Sequence, residues 1–496
     1  MKNILILLFA VALGITSCDS YLDINQDPNS PSEENVDASM IFPGAEMNLA
    51  ASYGNFLRIT GGYYAQHYVQ SFGTSNYLDY SRFTMSATRS SSTYTQLTAR
   101  CLKNMQTIRE QSTTSEEWGT YLAATVIRAF TYQVLVDAYG ETPYTEGLDI
   151  DNLAPKYDDG ATVYQGILAE LDEALAQVTP SSVVCTNFLF GSTTAADWIR
   201  LANALKLKIL MRMSDVQNVQ SALASLIAGN NFPAGDVAWT GIWSDESGKA
   251  NPFYQEEFAT YFGSTQVNVV ANIALTATLQ VTNDPRLEAF FRPNGSGNYT
   301  GGVSGTNFST SSTYTSAYWC RPVSAYNAPV YLISLAEIEF FLAEYYARYG
   351  SSAEAESHYK AAIEASFASA GISGADVVYT THYPWNNANY KQLIGLQKWI
   401  ALSGTNNFEA WCELRRLKYP AFGNVTGAQI YDVSSDTFTP SLYVPGTLYT
   451  PVNYNTNLGP GKVLQRFLYA ESSANRNNNA PKQGNDAPAI PVFWAQ

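Results

Sequence analysis

The residues of this 496-residue chain that have chemistry to offer are its rings, 34 Tyr and 9 Trp against 3 His. His67, His358 and His382 lie too far apart in sequence to make a metal-ligand pair, so neither a metal site nor a cofactor is expected. Cys101, Cys185, Cys320 and Cys412 are isolated singles without a CxxC, and read as buried thiols more readily than as a disulfide framework. Adjacent acids occur at Glu256–Glu257 and Asp158–Asp159. Neighbours in sequence point apart, so hydrolysis by paired carboxylates is the weaker reading of them. Rings set among small uncharged residues do something else: they offer a flat apolar face to the C–H side of a sugar while their polar edge stays wet. Tyr77 and Tyr80, Trp239 and Trp243, and Tyr314 and Trp319 all sit in such surroundings and are expected to share one ligand-binding platform. Trp118, Trp198, Trp399 and Trp411 lie on helix faces and are expected to pack.

Charge narrows the partners. The formal net charge is −15 and no basic run interrupts it, which excludes a phosphate backbone as ligand. The first residues, MKNILILLFAVALGITSC, give one Lys and an apolar run of about a dozen residues, too short to span a bilayer and suited to a signal-peptide core. The run ends Ile15-Thr16-Ser17-Cys18, which looks like a bacterial lipobox with Cys18 as the acylated residue. Several acyl chains make a lasting anchor where one is marginal. Residues 1–17 are therefore expected to be a lipoprotein signal peptide and 18–40 a lipidated N-terminus and tether. Residues 41–496 are expected to form a single domain.

The elements that must position the rings are mostly helical. Apolar residues at Ile338, Phe341, Leu342, Tyr345 and Tyr346 make one helix face. Gly350 can turn left-handed, and Ser351 with Glu354 makes a capping box for a second helix burying Ala355, Tyr359, Ala362 and Ile363. Leu342, Ala343, Tyr346, Ala355, Tyr359 and Ala362 follow tetratricopeptide spacing, with Glu339 and Phe367 departing from its Trp and Pro positions. Further helices are expected at 43–59, 63–71, 92–111, 116–138, 161–178, 195–213, 215–228, 389–402 and 406–418. Between 230 and 329 the periodicity lapses into a loop-rich insert, expected to carry ligand contacts, with one helix at 266–280. Its stretch Asn294–Tyr318 has no charge but keeps Tyr299, Phe308, Tyr314 and Tyr318, which argues for an ordered loop. The end, from Pro420, reads as a packed extended tail.

Taken together these stretches resemble the SusD/RagB-like nutrient-binding outer-membrane lipoproteins. The carriers are Cys18 followed by YLDINQDPNSP, DAYGETPY from Asp137, PKYD from Pro155, YQGILAELDEAL from Tyr164 and WIRLANALKLKIL from Trp198. They continue with NDPRL from Asn283, SLAEIEFFLAE from Ser334, QKWIALSGTNNFEAWCELRRLKYP from Gln397 and RFLYAESSAN from Arg466. The resemblance implies a mostly α fold, a SusD-like α/α superhelix of tetratricopeptide-like pairs with long irregular aromatic loops and minor β. It implies a lipid-anchored, cell-surface-exposed outer-membrane protein, although Asp19 and Asp23 stand without the continuous acidic run associated with surface export. It further implies a SusC-like TonB-dependent transporter as partner, a glycan or in some members a peptide as ligand, and no catalysis. A glycoside hydrolase and a protein-interaction scaffold are the competing readings.

Overall fold

The computed structural model describes residues 37–71, 75–259, 267–306, 311 and 313–496, so Cys18 and the leader lie outside the described residues. Asp37 opens α1 (Ala38–Ser52) by accepting the Ser39 N–H at 2.8 Å. α1 continues through a π-helical turn, Tyr53–Leu57, into α2 (Arg58–Tyr64). The helix expected over 63–71 does not form. Gln66 takes φ 55°, and Tyr68–Gln70 becomes strand β1, antiparallel to Val269–Ala271. The distant partner decides this: the Gln66 side chain donates to Tyr449 O at 2.6 Å and accepts from Tyr449 N at 3.1 Å, holding the chain extended.

The helix expected at 92–111 runs through a π stretch, Gln96–Leu102, into α3 (Lys103–Thr114). α4 (Trp118–Tyr139) is buried at every position from Gly119 to Tyr139, the signature of a central helix. Around it pack α3, α5 (Gly160–Ala176) and α6 (Ala196–Met213). α7 (Gln220–Ala228) starts later than the expected 215, because Val216 and Gln217 close a turn onto Met213 O.

The insert supplies part of the minor β structure, and every sheet among the described residues is two-stranded. β2 is Val237–Trp239 and β3 is Val269–Ala271. The helix expected at 266–280 is displaced to α8 (Ile273–Val281), since β3 claims the preceding residues and Asn272 caps the helix by accepting Ala274 N–H at 2.9 Å. β4 (Phe291–Arg292) pairs with β5 (Arg321–Pro322), and β2 pairs with β6 (Val330–Ile333).

The expected hairpin follows as α9 (Leu335–Tyr349) and α10 (Ser352–Ser369). Ser351 caps α10 by accepting Glu354 N–H at 3.2 Å, and Ala355, Tyr359, Ala362 and Ile363 are buried as the spacing requires. Gly350 has φ −119° rather than a left-handed value. It is needed for space instead, because a Cβ there would lie 2.5 Å from the Tyr346 ring. α11 (Tyr390–Ala401) and α12 (Asn407–Leu417) complete the scaffold, α12 crossing α2 so closely that a Cβ on Gly61 would meet Asn407 O at 2.5 Å. A last hairpin is β7 (Tyr431–Asp432) with β8 (Thr437–Phe438). The C-terminal tail is irregular but anchored: Phe467 N–H donates to Ala138 O at 2.7 Å and Trp494 Nε1–H to Asp137 Oδ1 at 2.8 Å.

Glu46 ties α1 to the insert. Its Oε1 accepts the Phe188 N–H at 2.5 Å and the Trp239 Nε1–H at 3.3 Å, in a position without solvent exposure. Burial dominates these hydrogen bonds and lifts its pKa from 4.5 to about 8. A folded pKa above the unfolded one gives stability that is complete below the unfolded value and is lost as pH rises through the folded one. The urea midpoint should therefore fall between about pH 5 and about pH 8 more steeply in wild type than in Glu46→Gln. Equal slopes in the two proteins contradict the assignment.

Candidate functional site

Rings are the material with which this chain fills its loops, and most of those expected on a platform are spent that way. Tyr77 and Tyr80 stack on each other, 5.6 Å between centroids and 13° between planes, against Tyr63. Both are buried, and the Tyr77 hydroxyl donates to Glu256 Oε1 at 3.4 Å. Trp239 has 0% exposure in β2, and half-buried Trp243 donates its Nε1–H to Trp239 O at 3.2 Å. Tyr314 is buried, with its hydroxyl oxygen accepting Phe438 N–H at 3.2 Å. Trp319 is 1% exposed. The six rings therefore do not form one exposed platform: they fall into three groups, with Trp243 half-buried and the other five buried, because burying an aromatic side chain is a large apolar gain for a loop.

Tyr318, at 36% exposure, is an exposed ring of the charge-free loop and lies beside the expected site residues rather than among them; Tyr326 at 39% and Phe188 at 41% are exposed elsewhere. It rests on the third group, 4.8 Å from Trp319 and 5.0 Å from Tyr314 in edge-on contacts, with Phe438 closing the base at 6.4 Å. The signal that identifies it is the Tyr318-Trp319 pair itself. Tyr318 ends a 3-10 turn, Ser316–Tyr318, and the chain becomes extended at Trp319, so the two adjacent rings leave the backbone differently and Trp319 is the one that enters the core.

The backbone around Tyr318 is fixed by amides. Asn294 Nδ2–H donates to Tyr318 O at 2.7 Å, while Asn294 Oδ1 accepts the N–H groups of Ser296 and Asn298 at 2.9 Å. Gly295 N–H reaches Ala317 O at 3.2 Å, and Cys320 N–H reaches Thr300 O at 2.9 Å. Beneath, Asp436 accepts the Tyr431 hydroxyl at 2.5 Å and the Ser311 hydroxyl at 2.8 Å, locking the β7–β8 hairpin to the loop. The result is one half-exposed ring on a rigid base, with Asn298, Thr313 and Thr315 exposed in the segments that hold it. Such a surface stacks a sugar ring and hydrogen-bonds its hydroxyls.

The acids offer no comparable reaction centre. Asp158 accepts from Tyr144 N, Thr145 N and the Thr145 hydroxyl, and Asp159 caps α5 at Thr162 N. Glu257 is buried under Tyr77 and raised to about 7, chiefly by burial. Among the described residues, Asp137, Glu409 and Cys412 bring ligand atoms within 4.8 Å of one another. Arg212 already donates to both carboxylates, so a dication there would face a guanidinium. A further cavity of about 700 Å³ lies under the tail, walled by amides that include Asn455, Asn457, Asn475, Gln483 and Asn485. The sequence marked this stretch only as Asn-rich and irregular.

A family model described as "Starch-binding associating with outer membrane" matches residues 28–441. No curated protein matches the chain. Among solved structures, a SusD homolog from Bacteroides uniformis is 20% identical with a TM-score of 0.70, over 91% of this chain and 98% of that one. A chitin-binding protein is 19% identical with a TM-score of 0.74, over 93% and 100%. A SusD/RagB family protein from Bacteroides thetaiotaomicron is 20% identical with a TM-score of 0.68, over 93% and 99%. These likenesses establish the fold. The division of roles between the two adjacent rings is open to measurement: Trp319→Ala should cost about 3–5 kcal/mol of unfolding free energy. Tyr318→Ala should cost no more than about 1 kcal/mol. Equal losses in denaturant titrations would contradict it.

Proposed function

The chain belongs to the SusD-like family, described as starch-binding and associating with the outer membrane, and on that premise we propose that it captures an oligosaccharide or polysaccharide and passes it to a SusC-like TonB-dependent transporter, over which it sits as a lid. The half-exposed Tyr318 ring, on a base held by Asn294 and Asp436, is the observation that carries this reading. In this reading Tyr318 stacks on the apolar face of a pyranose, and Asn298 and Thr315 serve its hydroxyls. That one structural relative is a chitin-binding protein and the family is described as starch-binding supports a neutral glycan as the ligand class.

The anchor in this account is Cys18, acylated after removal of residues 1–17, with 18–40 as tether and 41–496 as a single domain whose insert at 230–329 holds Tyr318. No helix among the described residues is long and apolar enough to cross a membrane. The mature protein faces the cell exterior and acts by binding, without catalysis. Two features favour binding over hydrolysis: Asp158 and Asp159 are engaged in backbone capping, and Glu257 is buried beneath a ring.

Isothermal titration of chito- and malto-oligosaccharides is the direct test. Tyr318→Ala is expected to weaken the bound glycan at least about tenfold, or about 1.4 kcal/mol, with an unchanged melting temperature. Undiminished affinity in Tyr318→Ala would remove this ring from the site, and release of reducing ends by the purified protein would overturn the binding reading.

A further inference from the structure

Among the described residues, every Lys or Arg buried in the interior has a polar partner, with one exception. Lys208 meets Glu337 at 2.9 Å, Arg286 meets Asp284 at 2.6 Å, Lys398 meets Glu413 at 3.0 Å and Arg416 meets Glu344 at 2.6 Å. Arg415 has no carboxylate but donates to the carbonyl oxygens of Asp137 and Gln465 at 2.9 and 2.7 Å. Arg58, the first residue of α2, is 7% exposed, and among the described residues its guanidinium donates no hydrogen bond and meets no acid. The guanidinium lies over the face of Phe253, 4.2 Å from the ring centre. A cation–π contact of this kind leaves the N–H donors of the fork without an acceptor, and the Nε–H among them is buried. An anion is the missing counterpart.

The surroundings say which kind. Arg58 lines a cavity of about 200 Å³ between β6, the end of α10 and the turn after α11. Hydroxyls face it: Tyr331 and Ser369 bond to each other at 3.3 Å, and the Ser403 hydroxyl is buried without a partner. The other walls are apolar, including Phe290, Val323 and Ala370, and half-exposed Val323 marks the side on which it meets solvent. A planar fork of N–H donors lining the same cavity as an unpartnered hydroxyl suits a carboxylate, which can take two parallel bonds from a guanidinium and a further one from a hydroxyl. The volume admits a small group and not a chain. We propose that Arg58 and Ser403 form a binding site for the carboxylate of a small ligand, separate from the Tyr318 surface and not drawn upon by the glycan reading. The carboxylate has two possible sources, a free short-chain acid or the acid group of an acidic sugar.

Titration calorimetry of the full chain, at ionic strength matched with sodium chloride, distinguishes these with sodium acetate, sodium D-galacturonate and neutral D-galactose as probes. Wild type is expected to bind at least one of the two carboxylates and not galactose. Acetate binding identifies a free acid as sufficient, whereas galacturonate without acetate identifies an acidic sugar. Arg58→Gln should weaken that carboxylate at least about tenfold while leaving neutral-glycan affinity unchanged. Ser403→Ala, a mild change that guards against misfolding of the first variant, should weaken it about threefold or more. No carboxylate binding above the chloride control overturns the proposal, and so does wild-type affinity in the variants that fold.

Discussion

Arg212 lies without solvent exposure between the carboxylates of Asp137, Glu409 and Glu413, so α4, α6 and α12 cannot separate without stranding charge in the core. Burial alone would push Glu409 up, but Arg212 and Lys208 beside it hold its carboxyl down at about 2. Five donors, from Arg212, Gln133, Tyr164, Trp494 and the Cys412 thiol, converge on the Asp137 carboxyl group. Glu413 passes the network on to Arg416 at 2.6 Å, and Arg416 to Glu344 of α9 at 2.6 Å. Charges in such a network cost several kcal/mol to bury and as much again to leave unpaired, so its value lies in fixing one arrangement of helices.

The irregular half of the chain depends on that arrangement. Asp137 is where the C-terminal tail docks through Trp494, and three residues on, Gly140 leaves room for Arg466, whose guanidinium would lie 2.6 Å from a Cβ at that position. Arg466 then meets Glu141 at 2.7 Å. This explains why the DAYGET and RFLYAE stretches occur together: they are two sides of one contact. The loops between β3 and β6 are held by side-chain amides and buried rings together with the β4–β5 pairing, the Arg286–Asp284 ion pair and the Asp436 carboxylate. Tyr318 stays exposed above the buried rings of this stretch.

Helices were legible in the sequence wherever a face repeated locally. Ala355, Tyr359, Ala362 and Ile363 are buried as their spacing required, and α4 announced itself by its length and wide apolar face. What escaped was whatever a distant residue decides. β1 carries residues that suit either state, and only Val269–Ala271 and Tyr449 make it a strand. The site was legible as a region but not as a set of residues. A charge-free stretch with four rings pointed to an ordered loop, yet ring type says nothing about which way the ring faces. Trp319, the larger ring, was expected at the ligand surface and is buried against Tyr318. Arg58 could not have been noticed at all, because an unpaired cation is visible only once its neighbours are known.

The central claim is that a sugar lies on Tyr318, and a crystal structure of the protein soaked with a chito-oligosaccharide tests it most directly. The account predicts a pyranose face-on to the Tyr318 ring, with its hydroxyls bonded beside Asn298 and Thr315. A sugar bound elsewhere with Tyr318 bare, for instance in the amide-walled cavity beside Asn455 and Gln483, would contradict it.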